Sequence, residues 1–320
     1  MKEIKRLGIC VFYDNEGIVD RYVLFFLQEL KLYLDELCII INGKIIDKEL
    51  CKLKKYTNQI IIRENKGLDA QAYKEGLLFY GWDKLKNFDE IIMCNTTCFA
   101  PIFPFYEMFK KINEKECDFW GLWRWKAPLK SKWIQGYHIP SFFYAYRNSL
   151  VKTKDFKEYW DTMPKIKTYK DAVLYHEQRQ TPFFTQKGYK YEVCYDLTKY
   201  ETDKEYWPIT KEAQICEKEK FPFIKRRGLF IENNTIKKTH CKKIAKLIKE
   251  KTSYDLNLLI ENLDRTQTIT NRKNKRTKIK FILKIFIYKL LNNNRKKIKY
   301  IRNYKNFLTK QEYLNLLKNR

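Results

Sequence analysis

The stretch FDEIIMCNTTCFAP, residues 88–101, holds a short apolar run between an acidic pair and three small polar residues. A continuous apolar run of this length, here residues 91–94, is typical of a strand that is buried on both faces of a parallel sheet. The run ends at Asn95, Thr96 and Thr97, and in open α/β sheets ligands bind just beyond the carboxyl ends of the strands. We therefore predict that these three residues line a binding site; the alternative is an ordinary strand exit with polar caps.

The chain on either side of this run alternates between strand and helix patterns. Apolar runs that end in polar or glycine residues predict strands at 7–13, 37–41, 59–62, 117–122, 141–151 and 189–194. Helical spacing of apolar residues predicts helices at 19–30, 45–56, 68–80, 103–112, 155–162, 170–186, 238–251 and 254–263. This alternation predicts βαβ units and an α/β fold, with a mainly parallel, Rossmann-type sheet flanked by helices.

The charge of the chain is concentrated near one end. The net charge is +27 over 320 residues, and residues 271–320 contain 17 Lys or Arg and only one acidic residue. The charge is therefore a property of a basic tail more than of the globular part, and it calls for an anionic partner of that tail.

The cysteines favour a reducing compartment. There are nine, with no CxxC pair and no His/Cys cluster at metal-binding spacing. The odd count and the missing export signal predict a cytoplasmic protein. No uncharged apolar stretch reaches 18 residues, so we expect no transmembrane helix.

The stretch RENKGLDAQAYKEGL, residues 63–77, predicts an anion-binding turn between a strand and a helix. Gly67 permits a tight turn, and the helix N-terminus with Arg63 and Lys66 favours an anion such as a phosphate. Asn65 belongs to the same turn, and Asp69 could accept hydrogen bonds from a sugar or a base. In the alternative reading, Asp69 only caps the helix and the charged residues form a surface pair.

Five motifs in order resemble the rhamnan synthesis protein F family of bacterial glycosyltransferases. They are FYDNEG (12–17), RENKGLDAQAYKEGL (63–77), EIIMCNTTCFAP (90–101), CDFWGL (117–122) and HIPSFFYAYRNSLV (138–151), and the resemblance spans residues 6–230. It implies a GT-A-like fold, a nucleotide-sugar donor and a growing, lipid-linked glycan as acceptor. The resemblance also implies which residues bind the donor. They are Asp14 in the first motif, Arg63, Asn65, Lys66, Gly67 and Asp69 in the second, and Asn95, Thr96 and Thr97 in the third.

The resemblance breaks at Asn95-Thr96-Thr97, where the family carries an Asn-Asp-Ser type of element. A carboxylate is the natural ligand for Mg²⁺ or Mn²⁺, so we expect metal binding to be weak or absent unless Asp14, Asn95 or Asp118 holds the ion. Lys225 and Arg226 could neutralise the donor diphosphate instead. The alternative for these two is a solvated charge run.

The resemblance also suggests catalytic residues. Residues 170–194 resemble the element that follows the acceptor site in inverting GT-A enzymes, where a carboxylate removes the acceptor proton. Glu177 is the candidate base, His176 the runner-up and Asp118 a second candidate. The alternative is a surface helix residue for Glu177 and a structural acceptor for Asp118.

An aromatic and polar segment is the candidate acceptor site. Trp120, His138 and Ser141 fall in the family-like motifs, and aromatic faces with polar edges suit sugars, although they also suit core packing.

Three segments are expected along the chain. They are a glycosyltransferase domain at 1–235, a helical segment packed on it at 236–265 and a basic helical tail at 266–320. The tail stretch 278–291 fits the surface of an anionic bilayer, which predicts a peripheral protein on the inner face of the plasma membrane. The alternatives are a helix packed on the domain or an RNA-binding patch.

The leading hypothesis is an inverting hexosyltransferase that adds rhamnose or another hexose to a capsule, O-antigen or wall polysaccharide. The first alternative is an inactive relative that binds nucleotide-sugar or glycan, because an acid is missing at Thr96. The second is a nucleic-acid-binding protein, suggested by the charge; no nucleic-acid-binding motif supports it, and we expect no nucleic-acid partner.

Overall fold

Seven strands form one sheet, in which six run parallel and one runs antiparallel. The computed structural model describes residues 4–126, 137–202, 210–230 and 234–273. The strands are β1 (Arg6–Phe12), β2 (Glu36–Asn42), β3 (Gln59–Arg63), β4 (Glu90–Asn95), β5 (Cys98–Phe99), β6 (Phe119–Gly121), β7 (Trp125–Lys126), β8 (Tyr137–His138), β9 (Phe143–Arg147), β10 (Tyr191–Val193) and β11 (Ile224–Lys225). The sheet order is β3-β2-β1-β4-β9-β6-β10, with β9 antiparallel. The predicted α/β fold with a mainly parallel, Rossmann-type sheet flanked by helices is confirmed.

Helices cover both faces of this sheet. They are α1 (Arg21–Lys31), α2 (Asp47–Lys54), α3 (Leu68–Tyr80), α4 (Trp82–Leu85), α5 (Phe105–Asn113), α6 (Asn148–Val151), α7 (Lys154–Asp161), α8 (Tyr169–Ala172), α9 (Gln178–Thr185), α10 (Glu212–Glu219), α11 (Asn234–Lys251) and α12 (Leu256–Lys273). A π-helical turn, Val173–Glu177, joins α8 to α9. Helices α1, α5, α11 and α12 pack on one face, and α3, α7 and α9 on the other.

The central strand β4 shows why its sequence is apolar throughout. All six of its residues are buried. Ile92 and Cys94 face the core under α1, whereas Ile91 and Met93 face the core under α3. Because both faces are covered by helices, the strand shows a continuous apolar run instead of an alternating one.

The strand predicted at 141–151 is shorter in the structure. Strand β9 covers only Phe143–Arg147, and the chain then turns into helix α6. Strand β9 is antiparallel to both of its neighbours, and its Ala145 pairs with Trp120 of β6. A strand that enters from the edge where its partner ends has to run antiparallel. As a result Ser141, just before β9, lies at the carboxyl ends of the parallel strands.

The C-terminal helices share the core of the sheet. Buried side chains of α11 and α12, such as Ile244 and Leu259, pack in the same cluster as strand β1 and helix α1. Helix α12 continues to Lys273, so the predicted boundary between 265 and 266 falls inside a helix. The predicted membrane-surface stretch at 278–291 lies outside the described residues. Among the helices of the described ranges, none combines the length and the apolar character that a membrane span needs.

A buried carboxylate ties four strands together at the amino edge of the sheet. Glu90 on β4, 2% exposed, accepts a hydrogen bond from Arg6 Nε on β1 at 2.7 Å and from Trp120 Nε1 on β6 at 2.6 Å. Arg147 Nε on β9 lies 3.5 Å from the same carboxylate. A buried charge is tolerated when it is paired and hydrogen-bonded in this way. The contacts therefore fix β1, β4, β9 and β6 side by side.

We expect Glu90→Ala to lower the free energy of unfolding by about 3–5 kcal/mol, because it leaves the Arg6 guanidinium buried without its partner. Urea denaturation followed by circular dichroism measures the change. Asp83→Ala is the control, since Asp83 is an exposed carboxylate paired with Lys86, and should leave stability unchanged. Equal stability of Glu90→Ala and the parent protein would contradict the structural role of Glu90.

Candidate active site

The polar residues after β4 form a hydrogen-bonded rim. The Asn95 amide donates through Nδ2 to Asp69 Oδ2 at 2.7 Å. Its Oδ1 accepts from the backbone N and the hydroxyl of Thr97, at 3.1 and 2.6 Å. The Thr96 carbonyl accepts from the Tyr22 hydroxyl at 2.9 Å. Both ends of the Asn95 amide are thus used to hold the rim and Asp69 in place.

A strained turn delivers Asp69 to this rim. Gly67 and Leu68 both have left-handed backbones, with φ of 75° and 52°. Glycine adopts that conformation freely, whereas leucine does so at a cost of about 1–2 kcal/mol. Asp69 follows in the first turn of α3, and Asn65 lies partly buried just before the turn. Backbone strain of this kind collects at functional sites.

Asp69 has a raised pKa. Burial raises the pKa of its carboxyl to about 6, against the opposing effects of the Asn95 hydrogen bond and the Lys225 charge. The Glu177 carboxylate raises it further. Contacts place these groups at one edge of the sheet: the backbone N of Asn95, which binds Asp69, donates to the Phe142 carbonyl, the Phe142 ring carries the Lys225 ammonium, and the preceding Ser141 binds Glu177.

The other predicted donor-binding cations of this loop are engaged with neighbours. Arg63 forms hydrogen bonds of 2.6 and 3.0 Å with Glu75 and one of 2.5 Å with Asn42. It also donates to the Lys66 carbonyl at 2.6 Å, which braces the turn. Lys66 is exposed and paired with Glu64. Arg63 therefore shapes the loop, and Lys66 stands at its surface.

Glu177 is held by Ser141 at the start of β9. Its Oε2 accepts hydrogen bonds from the Ser141 backbone N and hydroxyl, both at 2.8 Å. Its Oε1 lies 3.9 Å from His138 Nε2, beyond hydrogen-bond range. Burial lowers the pKa of the His138 imidazole, although the nearby Glu177 carboxylate opposes the shift. One carboxylate oxygen is thus fixed, and three predicted site residues meet here.

His176 lies beneath this site, where it forms hydrogen bonds within the buried core. Its Nε2 is 3.0 Å from the Tyr144 hydroxyl and its Nδ1 is 2.9 Å from the Tyr159 hydroxyl. Burial lowers its pKa to about 3, so the ring is neutral at physiological pH. With both ring nitrogens bound by buried tyrosines, the geometry does not support His176 as the runner-up base.

Two further predictions are corrected by position. Asp118 precedes β6 and therefore lies at the amino edge of the sheet, opposite the site. There it accepts from the Ser149 hydroxyl at 2.6 Å and the Lys190 backbone N at 2.8 Å. Trp120 is fully buried and donates to Glu90. Neither residue reaches the carboxyl edge, so Asp118 is no base or metal ligand there and Trp120 is no acceptor platform.

The Asp14 carboxylate is paired with an arginine that was not predicted from the sequence. Arg265 of α12 donates to Asp14 Oδ2 at 2.5 Å and to Asp20 Oδ1 and Oδ2 at 2.9 and 2.7 Å. Burial raises the pKa of Asp14, but the Arg265 hydrogen bond and charge lower it below its usual value overall. The partner residues are 245 or more positions apart, and no local pattern predicts their pairing.

The side chains at the strand ends do not form a set of ligands that fits a divalent cation. Asp14 is paired with Arg265, Asn95 Oδ1 is engaged with Thr97, and Asp118 is at the wrong edge. Within the described ranges, no three His, Cys, Asp or Glu side chains come together as a metal site. The ligands that Mg²⁺ or Mn²⁺ prefers are thus not assembled where the GT-A resemblance would put the ion.

Two cations stand at the same rim. Lys225 Nζ lies 3.3 Å from the centre of the Phe142 ring, and the Arg226 guanidinium lies 5.1 Å above Tyr22. The backbone N of Arg226 donates to the Thr97 carbonyl at 3.2 Å, which joins these residues to the rim after β4. Cations stacked on aromatic faces are held in place and remain able to bind an anion.

We expect the stability of the protein to fall as the pH rises from 3.8 to about 6, through the titration of Asp69. In that window the folded protein keeps a proton that the unfolded chain has released, so deprotonation disfavours the folded state. Asp69→Asn keeps the acceptor for Asn95 and should flatten this part of the profile. Thermal melts at several pH values measure it, with Asp161→Asn as a control, since Asp161 is an exposed carboxylate 3.9 Å from Lys157. Identical profiles for Asp69→Asn and the parent protein would refute the shift.

Comparison with solved structures finds chains of low identity. A 4-diphosphocytidyl-2C-methyl-D-erythritol synthase from Anaerococcus prevotii is 14% identical, with 66% of this chain and 96% of that chain covered and a TM-score of 0.38. An inositol-1-phosphate CTP transferase from T. maritima is 10% identical, with 60% and 86% covered and a TM-score of 0.39.

Comparison with curated sequences finds the uncharacterized protein y4gN of Sinorhizobium fredii, which is 24% identical over 185 residues. The match covers 57% of this chain and 46% of the relative, so the chain spans less than half the length of that protein. The family model of rhamnan synthesis protein F matches residues 37–311, which is most of the chain. The chain belongs to the rhamnan synthesis protein F family.

Proposed function

We propose that this protein is a glycosyltransferase that moves a hexose, such as rhamnose, from a nucleotide-sugar to a growing cell-surface polysaccharide. The observation that carries the proposal is the contact chain at the carboxyl edge of the sheet, in which Asn95 binds Asp69, Ser141 binds Glu177, and Phe142 between them carries Lys225 on its ring. Ligands bind at this edge in open α/β sheets. Membership of the rhamnan synthesis family supports a polysaccharide as the product.

The donor lies along the rim in this proposal. Its diphosphate contacts Lys225 and Arg226, which the aromatic rings below them hold in place. Asp69 accepts hydrogen bonds from the sugar hydroxyls, and Asn95 holds the Asp69 carboxylate in place for them. Because the cations are fixed before the donor arrives, they stabilise charge on the leaving diphosphate without reorganisation.

Glu177 acts as the general base. The acceptor hydroxyl attacks the anomeric carbon while its proton passes to Glu177 Oε1. The new glycosidic bond forms as the bond from the anomeric carbon to the diphosphate oxygen breaks, and the nucleoside diphosphate leaves with inversion. Ser141 fixes Oε2, so the carboxylate presents its other oxygen to the acceptor.

The acceptor in this proposal is a lipid-linked glycan of a capsule, O-antigen or wall polysaccharide. The basic tail would hold the enzyme on the inner face of the plasma membrane. The composition of residues 271–320 supports this location, since basic residues near an anionic surface contribute about 1 kcal/mol each.

One observation favours an inactive, ligand-binding relative as the second candidate. Asp14 is paired with Arg265, and the Asn95-Thr96-Thr97 element at the end of β4 contains no acid. A protein of this kind would bind nucleotide-sugar and turn over none of it. Assays of transfer and donor hydrolysis separate the two candidates.

We expect Glu177→Gln to lower the rate of transfer by about 10²–10⁴-fold while donor affinity stays unchanged. The glutamine amide oxygen can still accept from Ser141, so the local structure is kept and only the base is lost. The measurement is kcat with an acceptor extract and a panel of nucleotide-sugars, with donor binding followed by calorimetry.

Glu158→Gln, a surface carboxylate paired with Lys187, is the matched control and should behave as the parent protein. Near-native turnover of Glu177→Gln would reject Glu177 as the base.

We expect transfer to persist in excess EDTA and to fall in Arg226→Ala, with turnover reduced more than donor affinity. Charge builds on the diphosphate oxygens as the glycosidic bond breaks, so a cation that acts there affects kcat most. The transfer rates of the parent protein and of Arg226→Ala are measured in excess EDTA and with added Mn²⁺.

Arg227→Ala is the control, because Arg227 is the exposed neighbour whose guanidinium lies 5.9 Å from the Tyr169 ring. Activity that EDTA abolishes, Mn²⁺ restores and Arg226→Ala leaves intact would overturn the metal-independent mechanism.

A further inference from the structure

A polar network fastens helix α12 to the end of strand β1. Arg265 donates five hydrogen bonds to three acidic residues, which are Asp14, Glu16 and Asp20. Its side chain is 18% exposed, and the Asp14 and Asp20 side chains are each 11% exposed. A partly buried carboxylate pair with a planar guanidinium between them is a strong, directional contact. These contacts therefore fix the rotation of helix α12 about its own axis and its distance from the end of β1.

The network continues through a fully buried amide. Asn262 is 0% exposed. Its Nδ2 donates to Asp20 Oδ2 at 2.5 Å, and its Oδ1 accepts from Arg226 Nε at 3.1 Å. An amide offers a donor at one end and an acceptor at the other, which matches a carboxylate on one side and a guanidinium on the other. Neither an acid nor an apolar residue of this size could satisfy both neighbours.

Asn262 completes the set of contacts that orient Arg226. The backbone of Arg226 is bonded to Thr97, and its guanidinium stacks on Tyr22, whose hydroxyl donates to the Thr96 carbonyl. These contacts hold the guanidinium against the rim but leave it free to turn in the plane of the ring. The hydrogen bond from Nε to Asn262 fixes that last rotation.

The same amide separates Arg226 from the acids of the network. The two oxygens of Asp20 accept from Arg265 and Asn262. The Asn262 side chain thus stands between the Asp20 carboxylate and the Arg226 guanidinium. Without it, Arg226 could pair with Asp20 and would be neutralised for any anionic ligand.

We propose that Asn262 is a positioning residue of the diphosphate site and acts through Arg226. The inference rests on the proposed function, in which Arg226 binds the leaving diphosphate. Helix α12 thereby contributes to the site, although none of its residues belongs to the five family-like motifs.

The test measures the binding of inorganic pyrophosphate, which stands in for the leaving diphosphate, by calorimetry with the full-length protein. We expect Arg226→Ala and Asn262→Ala each to weaken binding by about tenfold, as for loss of one hydrogen bond to a charged group. The double variant should bind no more weakly than Arg226→Ala alone, because Asn262 has no effect once Arg226 is gone. Asn262→Asp, nearly the same in shape, should weaken binding more than Asn262→Ala, since it pairs with the guanidinium.

Asn257→Ala is the matched control, with its amide bonded to Asp255 in the first turn of the same helix. It should bind pyrophosphate as the parent protein does. Melting curves show whether each variant is folded, and Asn262→Gln replaces Asn262→Ala if the latter unfolds.

Three results would overturn the inference. In the first, the folded Asn262 variants bind pyrophosphate as the parent protein does, whereas Arg226→Ala binds it more weakly. Asn262 then has no positioning role, but the proposed diphosphate site is retained. Additive losses in the double variant would mean that Asn262 acts independently of Arg226. A parent protein that does not bind pyrophosphate overturns both the inference and the proposed diphosphate site.

Discussion

The buried carboxylate of Glu90 is the contact on which the arrangement of the sheet depends. It joins side chains from β1, β6 and β9 to β4 at the amino edge, where the strands would otherwise be free to slide. A slip of one residue turns every side chain to the opposite face. By fixing the register at one edge, Glu90 sets which residues emerge at the other. The positions of Asn95 and Ser141 at the site follow from that register.

The fold could be predicted from the sequence because its signals are local. Apolar runs that end in polar residues marked the strands, and helical spacing marked the helices between them. The direction of β9 could not be predicted, since the pattern of a buried strand is the same whichever way the chain runs. The structural role of Glu90 could not be predicted either, because in the sequence it is only one of an acidic pair before a strand. Its partners, Arg6, Trp120 and Arg147, are distant in sequence, and burial turns a surface charge into a structural one.

The candidate site was predicted from local pattern where its residues end a strand or open a helix, as Asn95 and Asp69 do. Glu177 lies inside a helical stretch and was predicted only through the family resemblance. Asp118 failed because a polar residue that precedes a strand lies at the opposite edge from one that follows it. The pairing of Asp14 with Arg265 joins residues 251 positions apart, and spacing carries no information about a contact of that range.

The network around Arg265 also sets the balance of charge at the rim. Arg265 pairs with Asp14 and Asp20 after β1, and Asn262 links Asp20 to Arg226. Without Arg265 the two carboxylates would stand unpaired near Arg226, and their negative charge would oppose an anion there. The electrostatic potential at the ends of β1 and β4 is therefore set by a helix from the opposite end of the described sequence.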